Sequence, residues 1–280
     1  MNIIIPDRKG GFNGVNYDLD FVNKRLVIKP EILGKKINNK IGTAFGLGKI
    51  TGSSIGDILQ VEKFSSPFAA FTRIFRCALP VLDPKYINAG VALEPKILAG
   101  IEKKLNVEIK RYPAHEYNYD YFKENKLFGG LPDGYIEKDH LVVEIKTSGA
   151  KNLENWDKFG LPVKYIKQAM LYTHLMGEKD FIIVACFLEE NDYINPYEVD
   201  VKTRKVKSWK FYVNEPEVLD DMQKCQHWYD EYVLKGISPT WNEETDQDLI
   251  DYLACQNQEE WQQLYLKWVR EGKAVPQYEK

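Results

Sequence analysis

The sequence predicts an α/β fold, a central mixed β-sheet flanked by α-helices. Three observations predict it. Residues 181 to 188, "FIIVACFL", form a continuous apolar run with β-branched members, as a buried strand requires. Residues 141 to 146, "LVVEIK", alternate like a half-buried strand. Segments with apolar residues at helical spacing precede, separate and follow these strands, the order expected of helices packed on a sheet.

Residues 1 to 45 predict short strands and loops, with Phe21 to Ile28 the best strand among them. In "TGSSIGDIL", Ser53 is placed to cap a short helix that packs Ile55, Ile58 and Leu59. Ser66 before Pro67 sets a cap ahead of a proline at the first helical position, and opens a helix through about Arg76. "EPKILAGIEKKL" carries Ile97, Leu98, Ile101 and Leu105 at helical spacing. Pro95 suits its first turn, where the missing N–H has no partner to lose.

Residues 128 to 149 then predict two strands, 163 to 176 a helix, and 195–201 and 208–213 two more strands. "NEPEVLDDMQKCQHWYDEYVLKG" opens with a proline in its first turn and closes on Gly236, as a long helix does. In "QEEWQQLYLKWVREG", Trp261, Leu264, Tyr265 and Trp268 share one helical face, which suits core or subunit packing better than base stacking. With no internal repeat and no linker rich in Gly, Ser or Pro, one domain is expected. It comprises an N-terminal extension (1–45), a core (46–213) and C-terminal helices (214–280).

Composition narrows the class. At 280 residues, 44% hydrophobic and 28% charged, the chain matches a water-soluble globular protein. No apolar run approaches the roughly 20 residues of a membrane span, and the N-terminus lacks the pattern of a secretory signal. A cytoplasmic protein is expected. Cys77, Cys186, Cys225 and Cys255 are scattered without metal-site spacing, so reduced thiols are expected. A net charge of −3 argues against a long basic footprint on nucleic acid. Residues 24 to 49 nonetheless hold Lys24, Arg25, Lys29, Lys35, Lys36, Lys40 and Lys49 against Glu31 alone, either a solvated face or a basic lip for DNA.

The chemistry lies in "FGGLPDGYIEKDHLVVEIKTSG", residues 128 to 149. A turn at Glu137 to His140 pairs positions whose numbers sum to 277, which sets Asp133 opposite Glu144. Facing residues project to one side about 5 Å apart, and Lys146 follows on that side two residues later. Two carboxylates this close repel each other, so a proton or a cation must resolve the conflict. Mg²⁺ takes one or two carboxylates, keeps waters and completes its shell with phosphate oxygens. Lys146 could orient or deprotonate an attacking water, or offset charge on a phosphate. An E-x-K tripeptide alone marks a surface salt bridge. Pro-Asp, a ten-residue gap and E-x-K on an apolar strand point to a reactive site.

Pro132-Asp133 followed by Glu144-Ile145-Lys146 resembles the signature of the PD-(D/E)xK nuclease superfamily. Gly90 and Glu94 in "NAGVALEP" resemble the Gly-x-x-x-Glu helix of lambda-exonuclease-like and RecB-like nucleases. "LPVKYIKQAMLYTHLMG" and "ITGSSIGDIL" with "SPF" resemble the later helix and the N-terminal signature of the YqaJ-like viral recombinase family. The resemblance covers about residues 47 to 188, in matching order. It implies a restriction-endonuclease-like core and a Mg²⁺-dependent DNA exonuclease, with Mn²⁺ also accepted.

In that reading Asp133, Glu144 and the Ile145 carbonyl hold the metal and Glu94 assists. Asp133, Glu144, Lys146 and Gln168 are catalytic, and Lys49, Ser53, Tyr165 and Tyr172 face DNA. Tyr165, Gln168 and Tyr172, spaced by three and four, form one helical stripe. The implied partners are double-stranded DNA ends, a single-strand annealing protein and further copies of the chain, often as a trimeric ring; no membrane is implied.

Two departures stand out. Gly46 occupies the place of an arginine that holds a 5′ phosphate in the lambda-exonuclease branch. Lys49, Arg73 and Arg76 are the candidates to replace it, and polarity stays open. "GLGKIT" fails as a phosphate loop, because Thr43 replaces its first glycine and Ile50 its hydroxyl, so no nucleotide is expected. The four cysteines also lack the layout of an iron–sulfur cluster. Two other readings share the site: a sequence-specific restriction-type endonuclease, and a catalytically silent DNA-binding protein.

Overall fold

The apolar run at 181–188 forms the strand its composition requires, in a computed structural model that describes residues 3–278. It belongs to a four-stranded sheet of β1 (Gly134–Ile136), β2 (Leu141–Gly149), β3 (Asp180–Leu188) and β4 (Lys205–Tyr212), adjacent in that order. The β1–β2 and β3–β4 pairs are antiparallel and β2–β3 is parallel, so the sheet is mixed as expected. Three helices pack on it: α1 (Lys85–Leu105), α2 (Asn152–Phe159) and α3 (Val163–Leu175). A parallel pair needs a long crossover, and α2 and α3 supply it between β2 and β3.

Both faces of the two central strands are covered. Val143, Ile145, Val184 and Cys186 cluster with Leu93 and Ile97 of α1. Val142, Ile183 and Ala185 cluster with Ala169 and Met170 of α3 and Trp156 of α2. Each buried Val, Ile, Leu or Met among them contributes about 1.5–3 kcal/mol on leaving water. β2 is therefore enclosed on both sides, where alternation suggested one. Glu144 and Lys146 continue the face of Val142, under α3.

Local differences from the sequence reading have local causes. α1 begins at Lys85, so Pro95 lies inside the helix and not in its first turn. Its missing N–H leaves the Val91 carbonyl without a helical donor, and Val91 is 60% exposed, so water can serve that turn. The stretch 195–201 is not a strand. Pro196 cannot donate to a ladder, and the Asp200 side chain accepts the Lys202 N–H, so short 3-10 turns form and pairing starts at Lys205.

The chain divides into two units. Thr51–Gly56 and Pro84–Met222 form the one just described. The described parts of Met1–Ile50, Asp57–Asp83 and Gln223–Lys280 form the other.

In that second body Tyr17–Asp20 pairs with Arg25–Ile28. The strand expected over Phe21 to Ile28 is shortened to Arg25–Ile28 because the Asp20 carboxylate accepts the N–H groups of Val22 and Asn23 and turns the chain. A helix at Pro30–Ile37 was not expected, although its proline stands in the first turn. Ser66 caps Pro67–Phe75 as expected, accepting the Ala69 N–H at 2.9 Å. Residues 223–228 are helical and continue into a wider turn at Tyr229–Val233 before Gly236. In Gln258–Arg270, Trp261, Tyr265 and Trp268 are buried, and Trp261 Nε1 donates to the Pro6 carbonyl at 2.9 Å.

The basic segment is partly neutralised from a distance, with Lys24 on Glu243 at 3.1 Å and Lys29 on Asp18 at 2.6 Å. Cys77, Cys186, Cys225 and Cys255 are buried and stand outside any disulfide. Among the described residues no helix is long and apolar enough to cross a membrane.

Candidate active site

The hairpin register places the site. Gly134 pairs with Val143 and Ile136 with Leu141, the sum of 277 read from the sequence, with a tight 3-10 turn at Glu137–Asp139. The same count brings Asp133 across from Glu144, just beyond the last ladder pair. There the Asp133 side chain takes over from the ladder: its Oδ2 accepts the Ile145 N–H at 2.6 Å.

Glu144 is 1% exposed, and two donors meet at one of its oxygens. Lys146 Nζ reaches Oε1 at 2.5 Å, and Gln168 Nε2 from α3 reaches it at 2.6 Å. Lys146 also donates to Gln168 Oε1 at 3.2 Å, which closes a three-residue ring. Glu144 Oε2 is buried with no hydrogen-bond partner. A buried carboxylate oxygen left so is costly, and its position beside a second acid is where a cation would relieve it.

The electrostatics agree. Burial, then the charge of Asp133, pushes Glu144 up to about 8 and Glu94 up to about 7. Burial also raises Asp133, against the partial relief of Lys146 and the Ile145 N–H. Burial opposes the charge of Lys146, but Glu144 and Asp133 outweigh it and hold the amine above its ordinary value. Lys146 is thus a protonated donor at rest, and three acids compete for too little positive charge.

Among the described residues no group of three or more His, Cys, Asp or Glu side chains stands in position to hold a metal ion. Mg²⁺ needs only one or two carboxylates, since it retains waters and takes substrate oxygens. Asp133 and Glu144 fit that requirement through the unpartnered Oε2. Glu94, on α1, is a charged neighbour of Asp133, and both line a cavity of about 310 Å³ that also includes Arg111. At Ile145 the visible contact is made by the N–H, on Asp133.

The other expected residues separate. Tyr165 is half-buried, with Lys146 Nζ 5.0 Å from its ring centroid. Tyr172 is 4% exposed and so is not a DNA-facing side chain. Its hydroxyl accepts the Gly52 N–H at 3.2 Å. A Cβ at Gly52 or at Gly130, whose φ is +131°, would collide with the same ring, so both glycines are needed for the close approach. Tyr172 thereby ties α3, which carries Gln168, to the Thr51–Gly56 segment and to the approach to Asp133. Ser53 is exposed and does not cap its helix, which begins at Gly52; its hydroxyl pairs with Thr51 Oγ1 at 2.9 Å.

Lys49, Arg73 and Arg76 belong to the other unit. Arg73 is held by Asp57 at 2.6 Å, and Arg76 donates to the carbonyls of Thr43 and Ala44. Sequence reasoning missed the buried role of Tyr172.

No protein-family model matches the chain. It is 23% identical over 263 residues to the uncharacterized protein MG373 of Mycoplasma genitalium, covering 79% of this chain and 91% of that one. The Mycoplasma pneumoniae homolog of MG373 is likewise 23% identical, over 265 residues with the same coverage. Among solved structures, LHK-Exo, an alkaline exonuclease from Laribacter hongkongensis, in complex with dAMP superposes with a TM-score of 0.50 at 14% identity. The match spans 73% of this chain and 95% of that one. A phage-related exonuclease from Haemophilus somnus gives a TM-score of 0.44 at 14% identity, over 81% and 97%. The likeness is one of fold: a mixed central sheet flanked by helices, as in LHK-Exo.

Proposed function

We propose that the chain is a metal-dependent DNA exonuclease that resects double-stranded ends by attack of an activated water on the phosphodiester. The observation that carries this reading is the buried ring of Glu144, Lys146 and Gln168, set across the hairpin from Asp133 with one Glu144 oxygen unpartnered. Asp133, Glu144 and the Ile145 carbonyl would hold Mg²⁺ or Mn²⁺, with Glu94 assisting. The metal, when bound, supplies Lewis acidity that lowers the pKa of water and neutralises phosphate charge.

The chain's own residues do the rest. Lys146, kept protonated by its acidic neighbours, serves better as a donor to the water or to the charged phosphate than as a base. Gln168 fixes Lys146 relative to Glu144. Tyr165 and Ser53 remain available to the DNA. The fold likeness to exonucleases supports the substrate class. A role in phage-type recombination, an annealing partner and a ring-shaped homo-oligomer follow from the sequence resemblance and belong to the same proposal.

The test is digestion of one linear duplex with Mg²⁺ or EDTA, beside a closed circle of the same sequence, with 5′ ends with and without phosphate. Lys146→Ala is the control. Loss of linear DNA alone, dependent on metal and Lys146, supports the exonuclease. Cutting of the circle at fixed positions would replace it with a restriction-type endonuclease. Digestion of neither by a folded, metal-saturated protein would overturn the enzyme and favour a silent DNA-binding protein.

A further inference from the structure

The corner between α2 and α3 carries exposed groups that the ring of Glu144, Lys146 and Gln168 does not use. Gly160, at φ +87°, ends α2, Leu161 is buried, and Pro162 fixes the entry to α3. Backbone bonds brace the corner on both sides: the Gly160 N–H donates to the Trp156 carbonyl and the Tyr165 N–H to the Pro162 carbonyl, each at 3.0 Å. On this corner Phe159 is 75% exposed. An aromatic ring held in water by a rigid backbone gains by stacking on a flat partner.

Cations flank that ring. Lys158 Nζ lies 5.1 Å from the Phe159 ring centroid, and Lys164, exposed in the first turn of α3, has its Nζ 5.5 Å from the centroid of Tyr165. Lys146 Nζ lies 5.0 Å from the same Tyr165 centroid, so the corner adjoins the proposed reacting centre. The acid beside Lys158 is already engaged, since Asp157 pairs with Lys207. α3 opens with no side chain capping it, and the positive end of its dipole favours a phosphate. Lysines interleaved with aromatic rings suit a nucleic-acid strand, with cations for its phosphates and π-faces for its bases.

We propose that this corner grips an unpaired stretch of DNA, with Phe159 stacking on a base and Lys158 and Lys164 holding the neighbouring phosphates. Stacking on Phe159 needs an open base face, which the interior of a duplex does not offer, so the occupant is single-stranded. The place of the corner next to a scissile bond rests on the nuclease reading. Its affinity for an unpaired strand does not require turnover. Phe159 and the two lysines act on the strand and not on the attacking water.

The experiment is fluorescence anisotropy of a labelled oligothymidylate, and of an abasic chain of the same length, titrated in EDTA so that neither is cut. The full chain is compared with F159A, F159W and the double variant K158A/K164A over a series of KCl concentrations. We expect F159A to raise the Kd for oligothymidylate about 5- to 100-fold and to leave that for the abasic chain unchanged. F159W should restore the binding. K158A/K164A should weaken both ligands and flatten the slope of log K against log salt by about 1.4, at roughly 0.7 per phosphate contact on a single strand. Melting temperatures should not move, because Lys158, Phe159 and Lys164 are exposed.

No binding of oligothymidylate by the unmodified chain, or an equal loss on both ligands in F159A, overturns the stacking corner. A lower sedimentation mass for F159A with unchanged strand affinity overturns it too, and makes Phe159 a contact between copies of the chain. Linear duplex digested equally by the parent, F159A and K158A/K164A, with equal strand affinities, removes the corner and leaves the nuclease. Phe159-dependent strand binding without any digestion of the duplex keeps the corner and removes the nuclease.

Discussion

Gln168 holds both ends of an ion pair: its Nε2 donates to Glu144 Oε1 at 2.6 Å while its Oε1 accepts from Lys146 at 3.2 Å. The amide therefore sets where the amine of Lys146 sits relative to the acid. Gln168→Ala should lower kcat by about 10–10²-fold with a smaller effect on KM, since a misplaced donor loses transition-state stabilisation before it loses binding. Lys146→Ala should cost about 10²–10³-fold. Steady-state hydrolysis of a linear duplex reads both, and equal losses in KM alone would contradict the positioning role.

Asp133 shares its surroundings with Glu144 and Glu94, two acids pushed up first by burial and then by its charge. Asp133→Asn keeps an oxygen for the Ile145 N–H and removes the repulsion. In EDTA the variant should be more stable than the unmodified chain by about 1 kcal/mol. Added Mg²⁺ should raise the melting temperature of the unmodified chain and leave Asp133→Asn nearly unmoved. Parallel melting curves in both buffers would count against a cation at this hairpin.

Far from the site, Arg204 Nε and Nη2 each reach a different oxygen of Asp192 at 2.6 Å, and the acid's side chain is only 6% exposed. The Arg204 bonds chiefly hold the Asp192 carboxyl below its ordinary value. A folded-state pKa below the unfolded one means stability that is present above the ordinary carboxylate range and lost as pH falls through the folded value. Arg204→Ala should cost about 1–3 kcal/mol near neutral pH. The gap between variant and parent should close below about pH 4, and urea midpoints from pH 7 to pH 3 would show it.

Tyr172→Phe removes the acceptor of the buried Gly52 N–H, so it should destabilise the fold by about 1–3 kcal/mol. Tyr165→Phe should leave stability within about 0.5 kcal/mol, since the half-buried Tyr165 keeps its ring against Trp156. Thermal unfolding of the two variants separates the enclosed tyrosine from the accessible one. The reverse ranking would contradict the burial.

Much of the site was legible because its geometry follows from short-range rules. A turn at residues 137–140 and a period of two are enough to bring Asp133, Glu144 and Lys146 together, and the observed register carries the expected sum. The ring was less legible. That Gln168 would grip both Glu144 and Lys146 depends on how α3 lies across β2, which no spacing within either element specifies. Tyr172 misled for the same reason: a stripe of three residues does not say which of them a neighbouring segment covers. The elements misread most clearly, the strand shortened by the turn after Asp20 and the early start of α1, turned on a side chain competing for backbone N–H groups and on a proline tolerated inside a helix.

By itself the sequence determined the class of the fold, the hairpin and the acid–acid–lysine grouping, since alternation and turn length act over a few residues along one chain. The tertiary structure decided the rest: the burial of Glu144 that leaves an oxygen unpartnered, and the enclosure of Tyr172. These depend on desolvation and on contacts between segments far apart in sequence. Such energies exist only once the helices have packed on the sheet and taken water away from the groups between them.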